Sequence, residues 1–109
     1  MQNHSTIKHW AEDDRPREKM LLKGKNALSD SEIIAILLGS GTRDKTAVEL
    51  AQEILSQHNN DLHALGRSGV KDLSVFKGMG AAKSLTLMAA LELGRRRKKS
   101  DRKKKTKIT

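Results

Sequence analysis

Leu73-Ser74-Val75-Phe76-Lys77-Gly78-Met79-Gly80-Ala81-Ala82-Lys83-Ser84-Leu85 sets a Gly-apolar-Gly hairpin between two helix-forming segments. This is the layout of a helix-hairpin-helix that grips phosphate. The two glycines are read as allowing backbone angles that a Cβ resists, and as letting a phosphate approach the peptide N–H groups. Those groups open the next helix, whose first four amides lack internal partners and whose dipole adds about half a positive charge. In this reading Met79 turns inward and pins the hairpin, while Lys77 and Lys83 each meet a phosphate of one strand. The predicted DNA-phosphate site is Lys77, Gly78, Met79, Gly80, Ala81, Ala82 and Lys83, with Arg95, Arg96, Arg97, Lys98 and Lys99 as secondary basic contacts. The plainer alternative is that Gly78 only ends a short helix, as glycine often does.

The hairpin is flanked by further helical signals. Pro16 fits the first turn of a helix running to about Lys23, with Glu12-Asp13-Asp14 ahead of its dipole, Met20, Leu21 and Leu22 on its apolar side and Gly24 as its stop. Ser29-Asp30-Ser31-Glu32 has capping-box spacing and opens a helix to Leu38 that is apolar nearly all round, hence buried. Gly39-Ser40-Gly41-Thr42-Arg43-Asp44 leads into a third helix, about Lys45 to Gln57, with Ala47, Leu50, Ala51, Ile54 and Leu55 at helical spacing. This earlier helical hairpin resembles the later one, with Ser40 where the later has Met79, and a pseudo-duplicated pair would grip two neighbouring strands. Asp61 to Leu65 forms a connecting turn, Ser68 caps a short helix from Val70 to Phe76, and a last helix starts near Gly80. That helix is expected to carry Ala81, Leu85, Met88, Ala89 and Leu91 into the core. No segment alternates like a strand. The fold is predicted to be all-α, a small bundle of about five short helices.

At 109 residues the chain fits one small domain with tails. The predicted division is a flexible segment over 1–14, the helix-hairpin-helix domain over 15–97, and a basic disordered tail over 98–109. Cysteine is absent, which excludes disulfides and thiolate metal sites. No apolar run approaches the roughly 20 residues of a membrane helix, and Met1 to Trp10 lack a signal-peptide core, so the expected setting is cytoplasmic. Trp10 and Phe76 are the only aromatics, leaving little for base stacking. The net charge of +9 is uneven: residues 95–107 hold ten basic side chains against Asp101, while residues 1–94 carry twelve of each sign. Such a block repels itself and attracts any polyanion in a salt-dependent way. The neutrality of the folded body is the main argument against DNA binding.

Catalytic signatures are missing. His4, His9, His58 and His63 are scattered without the pairing of metal ligands, and neither an activated nucleophile nor a phosphate loop of the Gly-x4-Gly-Lys-Ser/Thr type occurs. Metal binding by Glu12-Asp13-Asp14 is the weaker reading of that triplet. No enzyme activity, metal or cofactor is assigned to this chain.

Several motifs in order resemble the N-terminal part of the bacterial RadC family. They are Trp10-Ala11-Glu12-Asp13-Asp14-Arg15-Pro16-Arg17-Glu18-Lys19-Met20-Leu21, Ala27-Leu28-Ser29-Asp30-Ser31-Glu32-Ile33-Ile34-Ala35-Ile36-Leu37-Leu38, Gly41-Thr42, Gly78-Met79-Gly80-Ala81-Ala82-Lys83 and Ala89-Ala90-Leu91-Glu92-Leu93-Gly94-Arg95-Arg96. The resemblance covers about Ile7 to Arg97. Met79 stands where the family usually has Ile, and the linker is unusually lysine-rich. The resemblance implies a helix-hairpin-helix domain in a family labelled as DNA repair. It also implies a following JAB/MPN-type domain with a zinc metalloprotease-like site of His and Asp ligands, which Lys107-Ile108-Thr109 would approach. The leading expectation is a DNA-binding module that reads backbone geometry and not bases. The alternative is a protein-interaction domain, or a regulatory one for the metal-dependent hydrolase half.

Overall fold

Local capping sets the starts of three of the helices. The computed structural model describes residues 2–108, and side chains from 11 to 101. The side chains of His4, His9 and Trp10, and the basic ones from 102 onward, lie outside those described. The elements are α1 (Gln2–Lys23), a 3-10 turn (Lys25–Ala27), α2 (Asp30–Leu38), α3 (Ala47–Ser56), α4 (Leu62–Gly66), α5 (Val70–Ser74) and α6 (Ala81–Ile108). The chain is all-α, as its sequence predicts. Helix α2 packs between α1, α3 and α6, and the short α4 and α5 lie on α6.

The α2 box forms as read: Ser29 Oγ accepts from the Glu32 amide at 3.2 Å and Glu32 Oε1 accepts from the Ser29 amide at 2.9 Å. Lys19 Nζ adds a bond to the same carboxylate at 3.0 Å, tying α1 to the start of α2. The Ser29 amide first, then Lys19, hold the Glu32 carboxyl below the usual glutamate range. Because the folded value is the lower one, this support is complete above the ordinary glutamate range and is lost as pH falls through the folded value. Glu32→Ala is expected to cost about 1 kcal/mol at neutral pH. Urea unfolding of both proteins from pH 7 to pH 2 should show the difference narrowing with acid; a constant difference would contradict the assignment.

A second capping box, Thr46 with Glu49, starts α3 at Ala47, two residues later than the sequence suggests. Ser68 does not cap α5. Its hydroxyl lies 2.8 Å from His58 Nε2; the N-cap is Gly69, whose amide donates to Asp72 Oδ2 at 2.8 Å. The Asp61 carboxylate accepts from the His63 amide, and Asp61 to Leu65, read as a turn, becomes α4.

Two further expectations are corrected. Pro16 does not begin a helix; it lies inside α1, fully buried. The inward side of α1 is accordingly Asp13 and Pro16 with half-buried Met20, at helical spacing, and Leu21 and Leu22 are exposed. In α6 the buried side is Ser84 and Leu87, flanked by Met88 and Leu91, whereas Ala81, Leu85 and Ala89 face solvent. The apolar residues of α6 surround the helix, so spacing alone leaves its phase open, and buried Ser84 is the member a hydrophobic reading omits. Helix α1 begins at Gln2, and α6 runs through the basic block to Ile108. Lys and Arg favour helix strongly, a preference that counting charge repulsion alone leaves out.

The core comprises Ile34, Ala35 and Leu38 of α2, Ala47, Leu50, Ala51, Ile54 and Leu55 of α3, and Leu65, Leu73, Met79 and Leu87 from the later half. Met79 thus points inward as the hairpin reading requires. Among the described residues no helix is long and apolar enough to cross a membrane.

Candidate nucleic-acid interface

The two interhelical loops, residues 39–46 and 75–80, sit side by side. Gly78 makes that contact. Its φ is +95°, and a Cβ there would stand 2.2 Å from Thr42 Cγ2 in the first loop. Gly80 differs: its φ is not in the left-handed region, and a Cβ there would meet nothing within 4 Å. The two glycines of the hairpin therefore have separate uses, Gly78 for a turn and a close packing, Gly80 for an open approach to the start of α6. Met79 closes the hairpin between them, its amide donating to the Phe76 carbonyl at 3.0 Å.

The first loop is braced from three sides. Thr42 donates its amide to the Lys45 carbonyl at 2.7 Å, and its hydroxyl accepts from the Asp44 and Lys45 amides at 3.2 and 3.0 Å. At Gly41 a Cβ would fall 2.1 Å from the Lys45 carbonyl oxygen, so only glycine fits. Buried Asp13 accepts from the Gly41 amide at 3.1 Å and from the Ala47 amide at 2.6 Å, fixing both ends of the loop to α1. Its carboxylate is thus committed to backbone. Asp14 pairs with Arg17 at 3.3 Å, and among the described residues no cluster of His, Asp or Glu suits a metal ion.

Both lysines of the hairpin reach across to the first loop. Lys83 Nζ donates to the Ser40 carbonyl at 2.8 Å and to Ser40 Oγ at 3.2 Å; Lys77 Nζ lies 3.7 Å from Asp44 Oδ2. Ser40, Thr42, Arg43 and Asp44 thereby join the site, and the prediction from sequence did not include them. The adjacent Gly41-Thr42 and the Thr46-x-x-Glu49 box were the available signals. In these two loops and the first turn of α6, Arg43, Lys45, Lys77 and Lys83 are the basic residues and Asp44 the one acid in the sequence. Lys45 is paired with Glu53 of α3, and Arg43 is exposed. Asp13 on the Gly41 and Ala47 amides and Glu53 on Lys45 bring negative charge to the same end, leaving Arg43, Lys77 and Lys83 as the cations that face away from α3.

At the start of α6 the amides of Ala81, Ala82 and Lys83 find no side-chain cap among the described residues, whereas α2 and α3 carry full capping boxes. The secondary basic cluster is elsewhere. Arg95 is fourteen residues along α6 from Ala81, which at 1.5 Å per residue is about 20 Å from the hairpin. Hydrogen bonds from Arg95 and then Arg96 hold the Glu92 carboxyl down at about 2, so Glu92 stays ionised and occupies both guanidinium groups. Arg97, Lys98 and Lys99 are exposed.

The family profile described as UPF0758 N-terminal matches residues 7–85. A UPF0758 protein of Flavobacterium johnsoniae is 53% identical over 107 residues, which is 98% of this chain and 46% of that protein. One from Porphyromonas gingivalis is 51% identical over 92 residues, covering 84% of this chain and 40% of that protein. The corresponding figures for one from Syntrophomonas wolfei are 43%, 83% and 38%. The chain therefore spans less than half the length of the curated relatives it matches. No solved structure matches it.

Proposed function

The chain belongs to the UPF0758 family, RadC-like, matched by the family's N-terminal region, and from that footing we propose that it is a DNA-binding module contacting the phosphate backbone through its paired loops. The observation that supports this most is the open space over Gly80 at the start of α6, where no side-chain cap is found among the described residues, with Lys83 held next to it by Ser40. A phosphate there would accept from backbone amides and from Lys83, and the loop cations Arg43 and Lys77 would flank it. Such contacts carry no base information, so binding would be independent of sequence and strongly salt-dependent. The basic stretch of α6 would add non-specific affinity.

The test separates these two contributions. Beyond Glu92 every described side chain is exposed, so a chain ending at Arg97 keeps all of the buried packing. Lys83→Glu is expected to weaken duplex binding about tenfold in both the full and the shortened chain, and to reduce the salt slope by about one. Binding that survives Lys83→Glu unchanged, or that vanishes on shortening alone, would contradict the proposal. A second reading, a protein-interaction or regulatory domain for the rest of the longer relatives, is favoured by one observation. Leu85, Ala89 and Leu93 form an exposed stripe on α6, with Leu85 57% and Leu93 69% exposed.

A further inference from the structure

We propose that Asp44 is a built-in competitor for phosphate, holding Lys77 as a displaceable counter-ion so that the first loop sets the affinity of the second. The inference rests on the phosphate-binding reading above. Lys77 and Lys83 flank one hairpin and both reach the first loop, yet their acceptors differ in chemistry. Those of Lys83 are neutral, a carbonyl and a hydroxyl, at 2.8 and 3.2 Å. That lysine is fixed in place with its whole charge available. Lys77 faces a carboxylate at 3.7 Å, and with side chains 87% and 74% exposed the pair is water-screened and weak. A phosphate oxygen can replace the carboxylate because both offer an ammonium group the same kind of acceptor.

The backbone of Asp44 is held in the turn that faces the hairpin. Its amide donates to Thr42 Oγ1 at 3.2 Å, in the turn that also packs against Gly78. It is the single acid in residues 39–46 and 77–83. Asp44 touches no phosphate in this account; it acts through Lys77, as a positioning residue.

The test is a double-mutant cycle in the full chain, read as affinity for a 20-base-pair duplex at low salt. Asp44→Asn is expected to tighten binding about threefold with a steeper salt dependence, and Lys77→Gln to weaken it about threefold. In the Lys77→Gln background the gain from Asp44→Asn should disappear. Equal gains in the two backgrounds would overturn the inference, since they would show a general charge effect. No change with Asp44→Asn, while Lys83→Glu still weakens binding, would overturn it and leave the phosphate reading standing. Absence of salt-dependent binding by the unsubstituted chain would overturn both.

Discussion

Asp13→Ala is expected to remove about 3 kcal/mol of stability. Its carboxylate is buried and accepts two backbone amides, Gly41 at 3.1 Å and Ala47 at 2.6 Å. Hydrogen bonds to a charged acceptor contribute about 1.5–3 kcal/mol each, and truncation also strands the donors. Ala47 is fully buried, so water does not replace the lost partner there. For a domain of this size the melting temperature should fall by roughly 15 °C. Asp13→Asn preserves the shape but turns an NH2 group toward one of the two amides, and should lose about half as much. Denaturant unfolding of the three proteins measures this; a loss under about 1 kcal/mol for the alanine variant would contradict the bracing role.

Gly78→Ala should cost about 2–3 kcal/mol, from two sources that can be separated. A residue with a Cβ at φ +95° is strained by about 1 kcal/mol or more. The remainder comes from the Thr42 methyl, which a new Cβ would meet at 2.2 Å. Thr42→Ser deletes that methyl and keeps the hydroxyl that accepts from the Asp44 and Lys45 amides. Combined with Gly78→Ala it should restore roughly 1 kcal/mol, leaving the backbone strain. Additive losses in the double variant would show that the loops do not meet at this point.

The parts of the fold that were legible in the sequence are the local ones. The Ser29 and Glu32 box spans four residues, and the inward turn of Met79 follows from an apolar residue between two glycines; both hold. Asp13 could not be read, because its partners lie 28 and 34 residues away and an acid in an acidic run looks solvated. Pro16 misplaced the start of α1, since a proline one turn from a helix end and a proline inside a packed helix leave the same local pattern. Of the paired loops, the turn at Gly78-Met79-Gly80 was legible, but the neighbouring loop enters through tertiary contacts from Ser40, Thr42 and Asp44.

The most direct measurement is to follow the backbone amide resonances of the 15N-labelled chain during titration with a short duplex. If the paired loops bind phosphate, the amides of Gly80, Ala81, Ala82 and Lys83 should shift first and furthest, with smaller changes at Ser40 to Asp44, and added salt should reverse them. Shifts confined to residues 95–108, with Gly80 to Lys83 unmoved, would show that DNA meets only the basic stretch of α6 and would contradict the account.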